Sequence, residues 1–116
     1  MDMGIKECYE QMGANYENVL SRLGSDALIQ RFASKFPDDT SFQSLEQAMK
    51  EKNIDEAFRA AHTLKGVCLN LGFDNLFTVS SELTEKLRTG SFDGTEALFE
   101  EVKKQYSVTI EAIRAL

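Results

Sequence analysis

Apolar residues return every three or four positions along almost the whole of this chain, and a single proline, Pro37, interrupts them. Few β-branched runs compete with that 3.6-residue period, so the chain is committed to helices. Ile5, Cys8, Tyr9 and Met12 share one face of a short first helix that Gly13 breaks. Asn15 is placed to cap a second short helix carrying Tyr16, Val19, Leu20 and Leu23, with Gly24 as its stop. Ser25 then caps a helix bearing Leu28, Ile29, Phe32 and Phe36 as far as Pro37.

Asp39 offers a start for the next helix, with Phe42, Leu45, Ala48 and Met49 on its buried side and Lys52-Asn53 as the following turn. Asn53-Ile54-Asp55-Glu56 has the form of a capping box, so a helix is expected from Ile54 to Leu71, where Gly72 suits a left-handed stop. Phe73 to about Arg88 carries Leu76, Val79, Leu83 and Leu87 in register and closes at Thr89-Gly90. After the cap-like run Asp93-Gly94-Thr95-Glu96, the stripe Leu98, Val102, Tyr106, Ile110 and Ile113 defines a last helix. Short turns between long helices favour an all-α, antiparallel four-helix bundle with short additional N-terminal helices. The expected layout is one domain over residues 1–116, with brace helices over 1–24 and a four-helix core over 25–116.

Composition removes several functions. Thirteen Lys and Arg against nineteen Asp and Glu give a net charge of −6 with no basic stripe, which argues against a nucleic-acid surface. No signal-peptide pattern or long apolar run is present, so no membrane association is expected and the location should be cytoplasmic and reducing. Cys8, Cys68 and His62 lack any close ligand spacing, and position 59, where a Glu-x-x-His pair would need glutamate, is Arg59, so no metal is expected. Cys68 reads as a packed, inert thiol and Ser80-Ser81 as polar helix surface. An acidic bundle with one functional face is expected to be a monomer.

His62 is the only histidine. With it at zero and ~100° per residue, the opposite side of its helix collects Ala57, Ala60, Leu64, Val67 and Leu71 as a core stripe. His62 therefore points outward, among Phe58, Arg59, Lys65, Gly66 and Leu69. A merely solvated histidine is one reading, but its neighbours favour another. Gly66 inside a helix costs about 1 kcal/mol relative to alanine, which access to the imidazole would justify. Phe58 and Leu69 form an exposed apolar rim of the kind partners bind. A neutral imidazole has a nucleophilic nitrogen, for which a phosphoryl group is a natural electrophile, and Lys65, Arg59 and Arg88 are cations able to offset the charge it brings.

The run His62-Thr63-Leu64-Lys65-Gly66, followed by Asn70-Leu71-Gly72, resembles the signature of histidine-containing phosphotransfer (HPt) domains of multistep two-component phosphorelays. The resemblance covers nearly the whole chain and looks like a free-standing HPt protein. It implies that His62 accepts phosphate on Nε2 from a receiver-domain aspartate and passes it to another receiver, with Lys65 steadying the phosphate and Gly66 admitting the receiver. It also implies response-regulator receivers and a hybrid histidine kinase as partners. In many members a polar residue on the next helix, often Gln, orients the ring; the aligned position is the shorter Thr84, with Arg88 one turn beyond. Where many members carry Ser, Ala and Gly, this chain has Val67, Cys68 and Leu69; Val67 should fill core and Leu69 enlarge the apolar rim.

With no Gly-rich nucleotide loop and no Mg²⁺-holding carboxylate cluster, the chain is expected to be no autonomous kinase and to need no cofactor, Mg²⁺ residing in the partner receiver. Two rivals differ in class. A non-transferring interaction module would bind a kinase or response regulator indifferently to His62, and an enzyme using His62 as general base would need a pocket that a convex helix face does not readily provide.

Overall fold

The computed structural model describes residues 4–116; residues 1–3, the start of the expected brace, lie outside the described residues. The helices are α1 (Ile5–Gln11), α2 (Tyr16–Leu23), α3 (Asp26–Ser34), α4 (Ser41–Glu51), α5 (Ile54–Leu71), α6 (Asp74–Arg88) and α7 (Glu96–Arg114), with a 3-10 turn at Phe36–Asp38. No strand occurs among the described residues. Three side-chain caps form as their residue types dictate: Asn15 Oδ1 accepts from the Asn18 N–H at 3.0 Å, Ser25 Oγ from Leu28 at 3.2 Å, and Asn53 Oδ1 from Glu56 at 3.2 Å. Each satisfies a donor that a helix start leaves without an intrahelical partner.

Other boundaries depart from expectation. α3 stops at Ser34, before Pro37, which has no N–H to donate to the Ala33 carbonyl one turn back; the 3-10 turn carries Phe36 into the core instead. Asp39 is not the residue that caps α4: Thr40 occupies that place, and Asp39 Oδ1 accepts from the Ser41 N–H at 2.9 Å from one residue further out. Only half of the expected capping box forms. The Glu56 carboxylate pairs with Arg59 at 2.8 Å, and the Asn53 N–H donates to the Ala48 carbonyl at 3.0 Å. On α3, Leu28 and Phe32 are exposed, while Ile29 and Ala33 supply the buried face. Ser80 is fully buried, so it is not surface, and its Oγ is the one buried side-chain polar atom without a partner among the described residues.

α5 lies between α4 and α6, and α6 packs in turn on α7. Side chains close the gap between α4 and α7: Phe42 stacks on Tyr106 with ring centroids 3.9 Å apart, and Gln43 Nε2 donates to Tyr106 Oη at 3.2 Å. The aromatic contacts continue from Tyr106 to Phe36 at 5.8 Å, to Phe73 at 5.2 Å and to Tyr9 at 5.5 Å. Edge-on and offset ring pairs of this kind contribute roughly 0.5–1.5 kcal/mol each beyond their buried area. They tie α1 to α7 and α4.

The C-terminal end of α5 is where the first two helices attach. Helix ends leave carbonyls without partners, and here three are taken: Leu69 O accepts from Arg22 Nη2 at 3.2 Å, Leu71 O from Tyr9 Oη at 2.7 Å, and Gly72 O from the Asn15 N–H at 2.7 Å. Gly72 has φ +71°, where a side chain is strained, and a Cβ there would crowd Asn15 O at 3.1 Å, so both backbone and space favour glycine. Replacing Tyr9 with Phe strands the Leu71 carbonyl and is expected to lower stability by about 1–3 kcal/mol, seen as a reduced urea midpoint at constant m. An unchanged midpoint would show that this hydrogen bond does not hold α1 to α5.

Candidate functional site

The buried residues of α5 are Ala57, Ala60, Ala61, Leu64, Cys68 and Leu71. Relative to the expected stripe this set is rotated by about 30° at ~100° per residue, so Ala61 and Cys68 enter the core and Val67, expected there, is only half-buried. The three alanines let α4 and α6 approach closely from either side. The rotation also draws Phe58 and Lys65 to the edge of the packed surface, where both are half-buried.

His62 is exposed, and no hydrogen bond among the described residues engages its ring. Its nearest aromatic neighbour is Phe58, 5.9 Å away between centroids and tilted by 50°. The Arg88 guanidinium, reaching from α6, lies 4.9 Å from the centroid of the same Phe58 ring. Asp55, Phe58, Arg59, His62, Thr63 and Arg88 together line an open depression beside the imidazole. The hollow thus brings an imidazole and an apolar ring of α5 together with two guanidiniums, one from each helix, and the Asp55 carboxylate.

The three cations differ in what they already hold. Arg59 pairs with Glu56 at 2.8 Å, and Arg88 grips Glu85 through Nε to Oε2 at 2.9 Å and Nη2 to Oε1 at 3.3 Å. Lys65 has no carboxylate within 4 Å among the described residues. The Glu85 carboxyl is held below its ordinary value chiefly by the hydrogen bond from Arg88; burial opposes the shift, and the charges of Arg88, Lys65 and His62 each add to the lowering. Glu85 was not among the residues singled out from sequence; its place at the site follows from α6 packing against α5, which helical spacing within one segment does not reveal.

Gly66 sits one turn beyond His62, and a Cβ built on it would meet nothing within 4 Å. No packing inside this chain requires glycine there. Leu69 is 58% exposed, the most exposed of the large apolar side chains, while its carbonyl is held by Arg22. Thr84 is placed differently from expectation: it is fully buried and its Oγ1 donates to the Ser80 carbonyl at 2.7 Å, so it does not belong to the exposed face. A short hydroxyl that bonds back one turn on its own helix stays within that helix.

The two thiols offer no alternative nucleophile. Both are fully buried; burial pushes Cys8 up to about 11 and raises Cys68 as well, with Asp39 adding to the latter. Among the described residues no three His, Cys, Asp or Glu side chains gather as a metal site, and no helix is long and apolar enough to cross a membrane.

The Hpt domain family model matches residues 27–115, so the chain belongs to that family, whose members carry phosphoryl groups in two-component relays and engage receiver domains and histidine kinases. α1 and α2 precede the matched region. No curated protein and no solved structure matches the chain.

Two outcomes follow from the site's packing. Gly66→Ala is expected to raise folding stability by up to about 1 kcal/mol, the helix-propensity difference; a loss of stability would reveal an internal contact that glycine protects. Both thiols are expected to resist an aromatic disulfide reagent at pH 8 in the native state and to react on unfolding, since the thiolate is the reactive form. Because their native proton affinity is raised, the stability tied to them is intact below the ordinary thiol range and falls as pH rises through about 9 towards 11. Fast native labelling would contradict this placement.

Proposed function

We propose that the protein is a phosphorelay intermediate in which His62 accepts a phosphoryl group from the aspartyl phosphate of one receiver domain and surrenders it to the aspartate of another. The observation that carries this reading is the sole histidine of an Hpt family chain standing exposed on α5, with Lys65, which has no carboxylate partner among the described residues, three positions on. In the forward step the ring nitrogen attacks phosphorus in line; the acyl-phosphate P–O bond breaks, the aspartate leaves as carboxylate, and an N–P bond forms as the imidazole gives up its proton. The return step reverses this on a second receiver. The partner receiver supplies the aspartate and its Mg²⁺, and this chain supplies position and charge.

Lys65 is the first cation available to the arriving phosphate, and Arg59 and Arg88 flank it. Gly66 leaves an opening through which the receiver's acidic pocket comes close, and Phe58 and Leu69 are the apolar contacts of docking. The chain acts as a carrier with no kinase activity of its own, on an antiparallel bundle formed by α4 to α7. A single domain braced by α1 and α2, working as a monomer in the cytoplasm with a hybrid histidine kinase upstream, fits this reading.

Receivers charged with acetyl phosphate provide the test. At least one is expected to transfer acid-labile label to the native protein, and His62→Gln is expected to abolish that label while leaving the helical circular dichroism unchanged, since an exposed ring carries little packing. A receiver that binds tightly and indifferently to His62→Gln, with no label on either chain, would replace the relay by a docking module.

A further inference from the structure

If His62 carries phosphate, one of its neighbours must change partners. Arg88 spans two elements of the site: it holds both oxygens of Glu85 on its own helix and lies against the Phe58 ring that borders His62 on α5. Its guanidinium is therefore held at the rim of the hollow by a carboxylate, through Nε and Nη2. The pair is exposed, with side-chain accessibilities of 52% and 57%, and exposed ion pairs on a helix surface exchange readily because water competes for them. A phosphoryl group on the imidazole brings up to about two negative charges and three acceptor oxygens, against one charge on Glu85.

We infer that Glu85 is a positioning residue that parks Arg88 over Phe58 and hands it to the phosphoryl group once His62 is phosphorylated. This rests on the relay reading of His62. The handover sets how firmly the phosphoryl group is held: a carboxylate that reclaims Arg88 when the phosphate leaves keeps the carrier state loose enough to discharge. Arg59 and Lys65 act differently. Arg59 is held by Glu56 on its own helix, and Lys65 has no carboxylate partner to give up among the described residues. Asp55 is the remaining charged group lining the hollow and forms no ion pair among the described residues.

Phosphoramidate serves as the probe, because it needs no partner protein. Its N–P bond breaks as the N–P bond to His62 forms, and ammonia departs with the imidazole proton as ammonium. The ³¹P resonance of the resulting phosphohistidine is then titrated to give the midpoint of the phosphoryl proton in native protein, Glu85→Gln, Arg88→Gln and the double variant. Glu85→Gln is expected to lower that midpoint by about 1 unit and Arg88→Gln to raise it by a similar amount, as befits gaining or losing a close cation. In the Arg88→Gln background the effect of Glu85→Gln is expected to shrink to less than half.

Three results would overturn the inference. Equal midpoints in native and Glu85→Gln protein would mean that Glu85 does not restrain Arg88, while leaving the relay intact. A Glu85 effect that persists in full without Arg88 would mean direct repulsion and no handover. A native protein that takes no phosphate on His62 from phosphoramidate or from any charged receiver would remove the relay reading and this inference together.

Discussion

The division of α5 into a packed side and a free side is the constraint on which the rest depends. Ala57, Ala60 and Ala61 give that helix a narrow buried face, and Leu64, Cys68 and Leu71 fill what the alanines leave. A helix buried all round would present nothing to a partner. One packed on a single stripe between α4 and α6 keeps the opposite face open, and His62, Gly66 and Leu69 stand there. The same packing sets α6 alongside, so that Arg88, paired with Glu85, lines the hollow beside the imidazole from a second element. Stability and chemistry are thus assigned to different sides of one helix.

Holding such a helix in place requires something at its ends. Its N-terminus takes a cap from Asn53, and its C-terminal carbonyls are claimed by Arg22, Tyr9 and Asn15 from the first two helices. The aromatic path from Tyr9 through Phe73 and Phe36 to Tyr106 connects that attachment to α7 and, by Phe42, to α4. Leu69 shows how closely the two requirements meet. Its carbonyl is part of the brace and its side chain part of the exposed rim. The first two helices therefore touch one edge of the site, through Arg22, although they lie outside the family match.

Much of this was legible in the sequence because it is local. Caps at Asn15, Ser25 and Asn53, the stop at Gly72 and the outward face around His62 all follow from residue types at fixed offsets. The misreadings share a different cause. Ser80 was expected at the surface and Thr84 at the place that orients the ring, yet both are buried, because which side of α6 is covered is decided by α5 and α7 and not by polarity. Val67 gave way to Cys68 by a rotation of the stripe that no single-helix pattern fixes. Glu85 carries no signature within its own segment; its relation to His62 exists only once two helices are packed. Leu28 and Phe32 had the right spacing for a core and remain exposed because Ile29 and Ala33 face inward.

The central claim is that one ring nitrogen of one residue carries the phosphoryl group. A single histidine makes that directly measurable. Protein labelled with ¹⁵N in histidine and phosphorylated by a charged receiver is predicted to show ³¹P–¹⁵N coupling at Nε2 of His62, with coupling lost when a second receiver removes the phosphate. Coupling at Nδ1, or phosphate found on any other residue of the chain, would contradict the account.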